Sequence, residues 1–207
     1  MRPGHFIAVE GPIGAGKTTL AAMLARELGA PVVNEIVEEN PYLGKFYQNM
    51  EDWSFQLEMF FLCNRFKQLE DEARPLLESG RTVVADYHMY KNLIFGERTL
   101  NGSKREKYRQ IYHLLMDDQP RPDIVIYIKA DLPTLLRRIG MRGREIEQAM
   151  DPGYLSRLIE DYEEAMPALA RREPGTAFVT VDGGEIDFVE NPAQFREILS
   201  QVKEHMQ

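Results

Sequence analysis

Five short runs along the chain are apolar at nearly every position: HFIAVE (5–10), PVVNE (31–35), TVVADY (82–87), DIVIYIK (123–129) and AFVTVD (177–182). Continuous rather than alternating hydrophobicity predicts parallel strands covered on both faces. Between these runs the apolar positions recur at helical spacing, which predicts helices over 17–29, 52–78, 103–117, 132–150, 154–172 and 192–205. Pro133 after Asp131, and Pro192 after Asn191, mark two helix starts. No Gly/Ser- or Pro-rich linker divides the 207 residues. The pattern therefore predicts one α/β domain spanning 1–207, three layers deep, around a mostly parallel five-stranded sheet. Sheets of this kind bind ligands beyond the carboxyl ends of their strands.

One helical stretch carries a discordant residue. In WSFQLEMFFLCNR (53–65) the carboxylate of Glu58 sits among Trp, Phe, Leu and Met. A buried acid without a partner is costly, so Glu58 must face something. Ser54, Glu58, Phe61 and Arg65 follow i, i+4, i+7, i+11 spacing and form one stripe of that helix.

The segment GPIGAGKTT (11–19) fits G-x-x-x-x-G-K-[ST] in full, directly after a strand and before a helix. Gly11, Gly14 and Gly16 allow the backbone to curl so that its N–H groups, including that of Ala15, point at phosphate oxygens. The helix that follows adds its positive end at Lys17, Thr18 and Thr19. Lys17 is expected at the β- and γ-phosphates of ATP, and the Thr18 hydroxyl at Mg²⁺. The Asn-Lys-x-Asp signature of the usual GTPase is absent from the sequence. Instead RRIGMRGRE (137–145) places Arg138 and Arg142 on one helical face with Arg144 just beyond a glycine. Arginines there suit an arginine-rich catalytic lid, about 138–150, that neutralises charge on a transferring phosphoryl group.

Composition narrows the partners. With 33 acidic against 25 basic residues the net charge is −8, which opposes nucleic-acid or anionic-membrane binding as the main activity. No apolar run is long enough to cross a bilayer, and the first strand begins before a signal-peptide core has room to form. The single cysteine, Cys63, excludes an internal disulfide and fits a reducing cytoplasm; its apolar surroundings predict a packed core thiol.

The stretch VVNEIVEENPYLGKFYQNMEDWSFQLEMFFLCNRF (32–66), with the phosphate loop, ADYHMY (85–90) and RRIGMRGREIE (137–147), resembles the deoxyribonucleoside kinase family over essentially the whole chain. Within the family it is most similar to the bacterial branch that acts on deoxyguanosine. The resemblance implies a P-loop kinase fold, ATP with Mg²⁺, a helix-packed homodimer and phosphorylation of a deoxynucleoside 5′-hydroxyl. It makes Glu35 the general base, and a position at the carboxyl end of a strand is independently right for that work. It makes Tyr47 and Glu147 ligands of the sugar 3′-hydroxyl, and puts Asp86 beside Mg²⁺ and the 5′ site. Glu38 and Glu39 read as solvated carboxylates. The chain departs from the family at Asp86-Tyr87-His88, where an acidic residue, Arg and Ser are usual. Lys91 or Arg65 are the candidates to replace that arginine, and His88 reads as structural or as a substrate contact.

Family members that take cytosine or adenine carry Gln where this chain has Glu58. An ionised carboxylate only accepts hydrogen bonds, and guanine offers N1–H and its 2-amino group side by side. The expected acceptor is therefore deoxyguanosine, with deoxyinosine tolerated, Arg65 reaching O6 and Phe61 shaping or stacking on the base. Sites built on hydrogen bonding discriminate by about 10⁴-fold or more. Three alternatives remain open at this point: a deoxyadenosine or deoxycytidine kinase of the same family, a thymidylate-type nucleoside monophosphate kinase, and a slow nucleotide-gated switch.

Overall fold

The computed structural model describes residues 4–37, 40–144, 147 and 150–207. Its strands are β1 (Phe6–Glu10), β2 (Val32–Val33), β3 (Val83–Ala85), β4 (Ile124–Lys129) and β5 (Ala177–Asp182). They pair in parallel in the order β2-β3-β1-β4-β5. The chain lays β2 and β3 on one side of β1 and β4 and β5 on the other, so a crevice opens at the strand ends around β1. Ile7, Ala8, Val9, Ile124, Val125 and Ile126 are fully buried, as their continuous hydrophobicity requires. Successive residues of β3 face opposite layers: Val84 joins the larger core, while Val83 and Ala85 join a second cluster with Leu62, Leu69, Tyr87 and Tyr108.

Helices cover the sheet: α1 (Lys17–Leu28), α2 (Leu43–Gln48), α3 (Met50–Gln68), α4 (Arg74–Glu78), α5 (Lys91–Thr99), α6 (Gly102–Met116), α7 (Leu132–Arg142), α8 (Pro152–Arg172) and α9 (Pro192–His205). The side chains of Asp131 and Asn191 cap α7 and α9 as the sequence predicts. The stretch expected as one helix over 52–78 runs as α3, a π-helical turn at Leu69–Ala73, and α4. Pro75 explains the widened turn, because it lacks an N–H and its ring would clash with the carbonyl of residue 71 in a regular α-helix.

Four other expectations change. The helix expected over 132–150 ends at Arg142, because Gly143 adopts φ +67° and returns its N–H to the carbonyl of Ile139. Neither α2 nor α5 was expected; Gly96 lies inside α5, where a Cβ would stand 2.6 Å from the Tyr108 ring. β2 is shorter than 31–35, since the Glu35 N–H leaves the ladder for Asp86 Oδ1 at 2.6 Å. Cys63 is exposed rather than packed in the core. Glu38 and Glu39, and positions 145, 146, 148 and 149 of the expected lid, lie outside the described residues.

Candidate active site

The crevice holds a cavity of about 890 Å³. All predicted site residues except Gly11 and Ala15 line it, and those two are buried residues of the phosphate loop itself. Gly14 (φ +84°) and Gly16 (φ +99°) adopt the backbone the loop requires, and a Cβ on Gly14 would stand 2.8 Å from Ile139. Lys17 Nζ donates to the carbonyls of Gly11 and Pro12 at 2.8 and 3.0 Å, so its ammonium lies over the loop. Burial, with help from Lys91, pushes Lys17 down to about 8 against the pull of Glu10, Glu35 and Asp86. Behind the loop, fully buried Glu10 accepts from Gly11 N and Tyr162 OH through Oε1, and from His88 N through Oε2. Sequence reasoning missed this brace, which reads there as the last polar residue of a strand.

Asp86 joins the two halves of the cavity. Its Oδ2 accepts from the Thr18 hydroxyl at 2.7 Å and its Oδ1 from the Glu35 N–H. Glu35 is held from both sides: Arg65 donates to Oε1 through Nε at 2.8 Å and through Nη2, and Lys91 Nζ donates to Oε2 at 2.8 Å. Burial opposes ionisation there, but Arg65, Lys91 and Lys17 together hold the Glu35 carboxyl well below the usual range. Both candidates for the missing family arginine thus lie on Glu35. Tyr87, at that arginine's position, is buried with its hydroxyl 3.4 Å from the Arg65 carbonyl and its ring 5.9 Å from the guanidinium. The Arg65 guanidinium turns to Glu35 rather than running along the stripe with Glu58. Its remaining nitrogen, Nη1, donates to Asn92 Oδ1 at 2.5 Å, and the guanidinium lies 4.7 Å from the Phe61 ring centre.

Glu58 is 1% exposed and accepts a hydrogen bond from the Thr99 hydroxyl at 3.0 Å. Burial raises its carboxyl to about 7, against the pull of Arg65, the Thr99 hydroxyl and Lys91. Thr99 and Lys91 belong to the unexpected helix α5. Lys91, Phe95 and Thr99 at i, i+4 and i+8 were the signal present in the sequence, masked by the helix-breaking glycine at 96. Tyr47 on α2 lies at the same cavity, its hydroxyl pushed up by burial and by Glu147. Glu147 is buried and ion-paired with Arg142, and Arg144 stands 3.6 Å away. Arg138 donates to the carbonyls of Ala15 and Gly183 at 2.9 and 2.8 Å, fastening the phosphate loop to the turn after β5. His88 is a structural histidine: Nδ1 accepts from Tyr90 N at 2.9 Å, burial lowers it to about 4, and it lies outside the main cavity.

A phosphate loop at the end of β1, an arginine-bearing helix across it and a carboxylate-lined acceptor pocket define a P-loop phosphotransferase. The family model for deoxynucleoside kinases matches residues 7–207, and the chain belongs to that family. It is 57% identical to the deoxyguanosine kinase of Bacillus subtilis (strain 168) over 204 residues, 99% of each chain. It is 36% identical to the deoxyadenosine/deoxycytidine kinase of the same organism, over 76% of this chain and 75% of that one. Among solved structures, a deoxyadenosine kinase from M. mycoides with bound dATP superposes with a TM-score of 0.82 at 26% identity, covering 96% of this chain and 99% of that one. No helix among the described residues is long and apolar enough to cross a membrane.

Proposed function

We propose that this protein transfers the γ-phosphoryl group of ATP to the 5′-hydroxyl of 2′-deoxyguanosine, giving ADP and dGMP, and accepts deoxyinosine as well. The observation that carries the reading is Glu58, a buried carboxylate on the cavity wall with no cation bonded to it among the described residues. Guanine and hypoxanthine present N1–H to such an acceptor, whereas adenine and cytosine present lone pairs. The similarity to the Bacillus subtilis enzyme supports the same acceptor.

Glu35 receives the 5′-hydroxyl. A carboxylate stabilised by two cations is a weak base, so its first role is to align the hydroxyl by accepting its hydrogen bond. It takes the proton once bonding to phosphorus has acidified the oxygen, in keeping with a loose transition state. Lys17 and the loop N–H groups hold the donor phosphates, and Arg142 and Arg144 meet charge on the transferring group after exchanging their pairing with Glu147. Arg138, bonded to the Ala15 carbonyl, acts by holding the loop rather than by reaching the phosphate. Thr18 and Asp86 offer a hydroxyl and a carboxylate oxygen 2.7 Å apart, a hard donor pair of the kind Mg²⁺ uses beside phosphate and water. When bound, Mg²⁺ supplies charge neutralisation across the donor phosphates. Tyr47 and Glu147 bind the 3′-hydroxyl, with Tyr47 filling the space a 2′-hydroxyl needs.

We also propose a homodimer acting in the cytoplasm, the latter supported by the lone cysteine. Sedimentation at assay concentrations tests the dimer. A coupled assay of ATP turnover with each of the four deoxynucleosides and with dGMP and dTMP tests the reaction. Turnover is expected with deoxyguanosine above all others. Turnover with a monophosphate, or none with any nucleoside, defeats the proposal.

A further inference from the structure

The Thr99 hydroxyl lies between two acceptors, the Phe95 carbonyl at 2.8 Å and Glu58 Oε1 at 3.0 Å. One hydroxyl carries one proton, so with Glu58 ionised only one of these contacts is a hydrogen bond at a time. With Glu58 neutral, both are satisfied: the acid donates to Thr99, and Thr99 donates to the Phe95 carbonyl, the back-bond usual for threonine in a helix. The cation that would otherwise fix Glu58 in its ionised form, Arg65 on the same helix, is committed to Glu35 and Asn92. Lys91 on α5 is likewise committed to Glu35. The other titratable groups acting on Glu58 are Glu35 after β2, Tyr47 on α2, Tyr108 on α6 and Tyr154 on α8, none of them a cation.

We propose that Glu58 selects the nucleobase through its protonation state, so that the pocket takes guanine when Glu58 is a carboxylate and adenine when it is a neutral acid. A neutral carboxylic acid sets one donor beside one acceptor, the pair that a glutamine amide presents. Adenine's N1 accepts the first and its 6-amino group donates to the second; the proton moves to the Glu58 oxygen that faces N1, and Thr99 then donates to the other oxygen. Guanine needs both oxygens as acceptors and is excluded from the neutral form by the clash of two protons. Deoxyadenosine phosphorylation is thus a second activity of the same site, rising as the pH falls. The burial that lifts the Glu58 carboxyl to about 7 puts the exchange within a neutral working range.

This inference rests on the reading that Glu58 faces the base, and the experiment separates the two. kcat/KM is measured for deoxyadenosine and deoxyguanosine from about pH 6 to pH 8.5, for the wild type and Glu58→Gln. Ionisations common to both reactions, such as that of Lys17, cancel in the ratio of the two values. The wild-type ratio of deoxyadenosine to deoxyguanosine is expected to fall about tenfold per pH unit, with deoxyinosine following deoxyguanosine. In Glu58→Gln the ratio is expected to favour deoxyadenosine and stay flat. A flat wild-type ratio, or no deoxyadenosine turnover at any pH, overturns the inference even where Glu58→Gln favours deoxyadenosine, and in that case leaves the base-facing role standing. A Glu58→Gln enzyme that still prefers deoxyguanosine overturns both.

Discussion

Replacing Glu35 by Gln changes one oxygen to nitrogen, yet it removes the negative charge on which two buried cations rely. The side chains of Arg65 and Lys91 are 4% and 6% exposed, so neither reaches bulk water when its partner is neutralised. Breaking a buried pair costs about 3–5 kcal/mol, and two cations on one carboxylate place this case toward the upper part, with cavity water offsetting some of it. Arg65 keeps its bond to Asn92, whereas Lys91 loses the carboxylate that it contacts. For a chain of this length about 4 kcal/mol corresponds to a fall in melting temperature of roughly 10 °C. Activity should fall ~10²–10⁴-fold in kcat, the usual share of a positioned acid–base group. Thermal melting and the coupled ADP assay on Glu35→Gln measure the two effects separately. Adding Lys91→Met should recover part of the lost stability, because it removes a cation left without its partner, and should recover none of the activity. A single variant that melts with the wild type, or that keeps kcat within about threefold, refutes this double role of Glu35 as cation anchor and proton acceptor.

Further outcomes follow from the same geometry. Glu58 has its carboxyl raised from 4.5 to about 7, so the stability linked to it is complete below about pH 4.5 and is lost as pH rises through about 7. Glu58→Gln should therefore gain stability over the wild type across that window, by about 3 kcal/mol at its upper end, as read by denaturant titration of the ligand-free protein. Lys17, lowered to about 8 in the empty site, loses its charge above that pH. ATP should bind more weakly at pH 9 than at pH 7, and Lys17→Met should lack that part of the pH dependence, which calorimetry reads directly. Gly96→Ala forces a Cβ to within 2.6 Å of the Tyr108 ring and should cost about 1–3 kcal/mol in a melt, shifting α5 with its Lys91 and Thr99.

Much of the architecture was legible because strands buried on both faces announce themselves as unbroken apolar runs; β1 and β4 are such cases. The phosphate loop was legible for a different reason, since its chemistry resides in backbone shape set by a few glycines. Glu58 could be read as buried from its neighbours alone. Side-chain pairing across the fold could not. Arg65 and Glu35 are 30 residues apart, and nothing local says that the guanidinium turns to Glu35 instead of following its stripe. The helix α5 was obscured by Gly96, whose helix-breaking tendency is outweighed by close packing on Tyr108. The end of α7 was present in the sequence as Gly143 after Arg142, and the longer helical pattern concealed it.

The widened turn at Leu69–Ala73 has a consequence for chain length. It takes up one residue more than an α-helical turn does, so the residues after it continue from α3 in the phase of an uninterrupted helix one residue shorter. Deleting one residue there and replacing Pro75 would restore regular winding yet leave everything from Arg74 onward close to its present phase, because the i→i+5 turn takes up one extra residue. Arg74, which now donates to Glu70 and to the Asp118 carbonyl, would stay within reach of both. The widened turn thus absorbs a residue without turning the far end of this helix relative to α3, which carries Glu58 and Arg65.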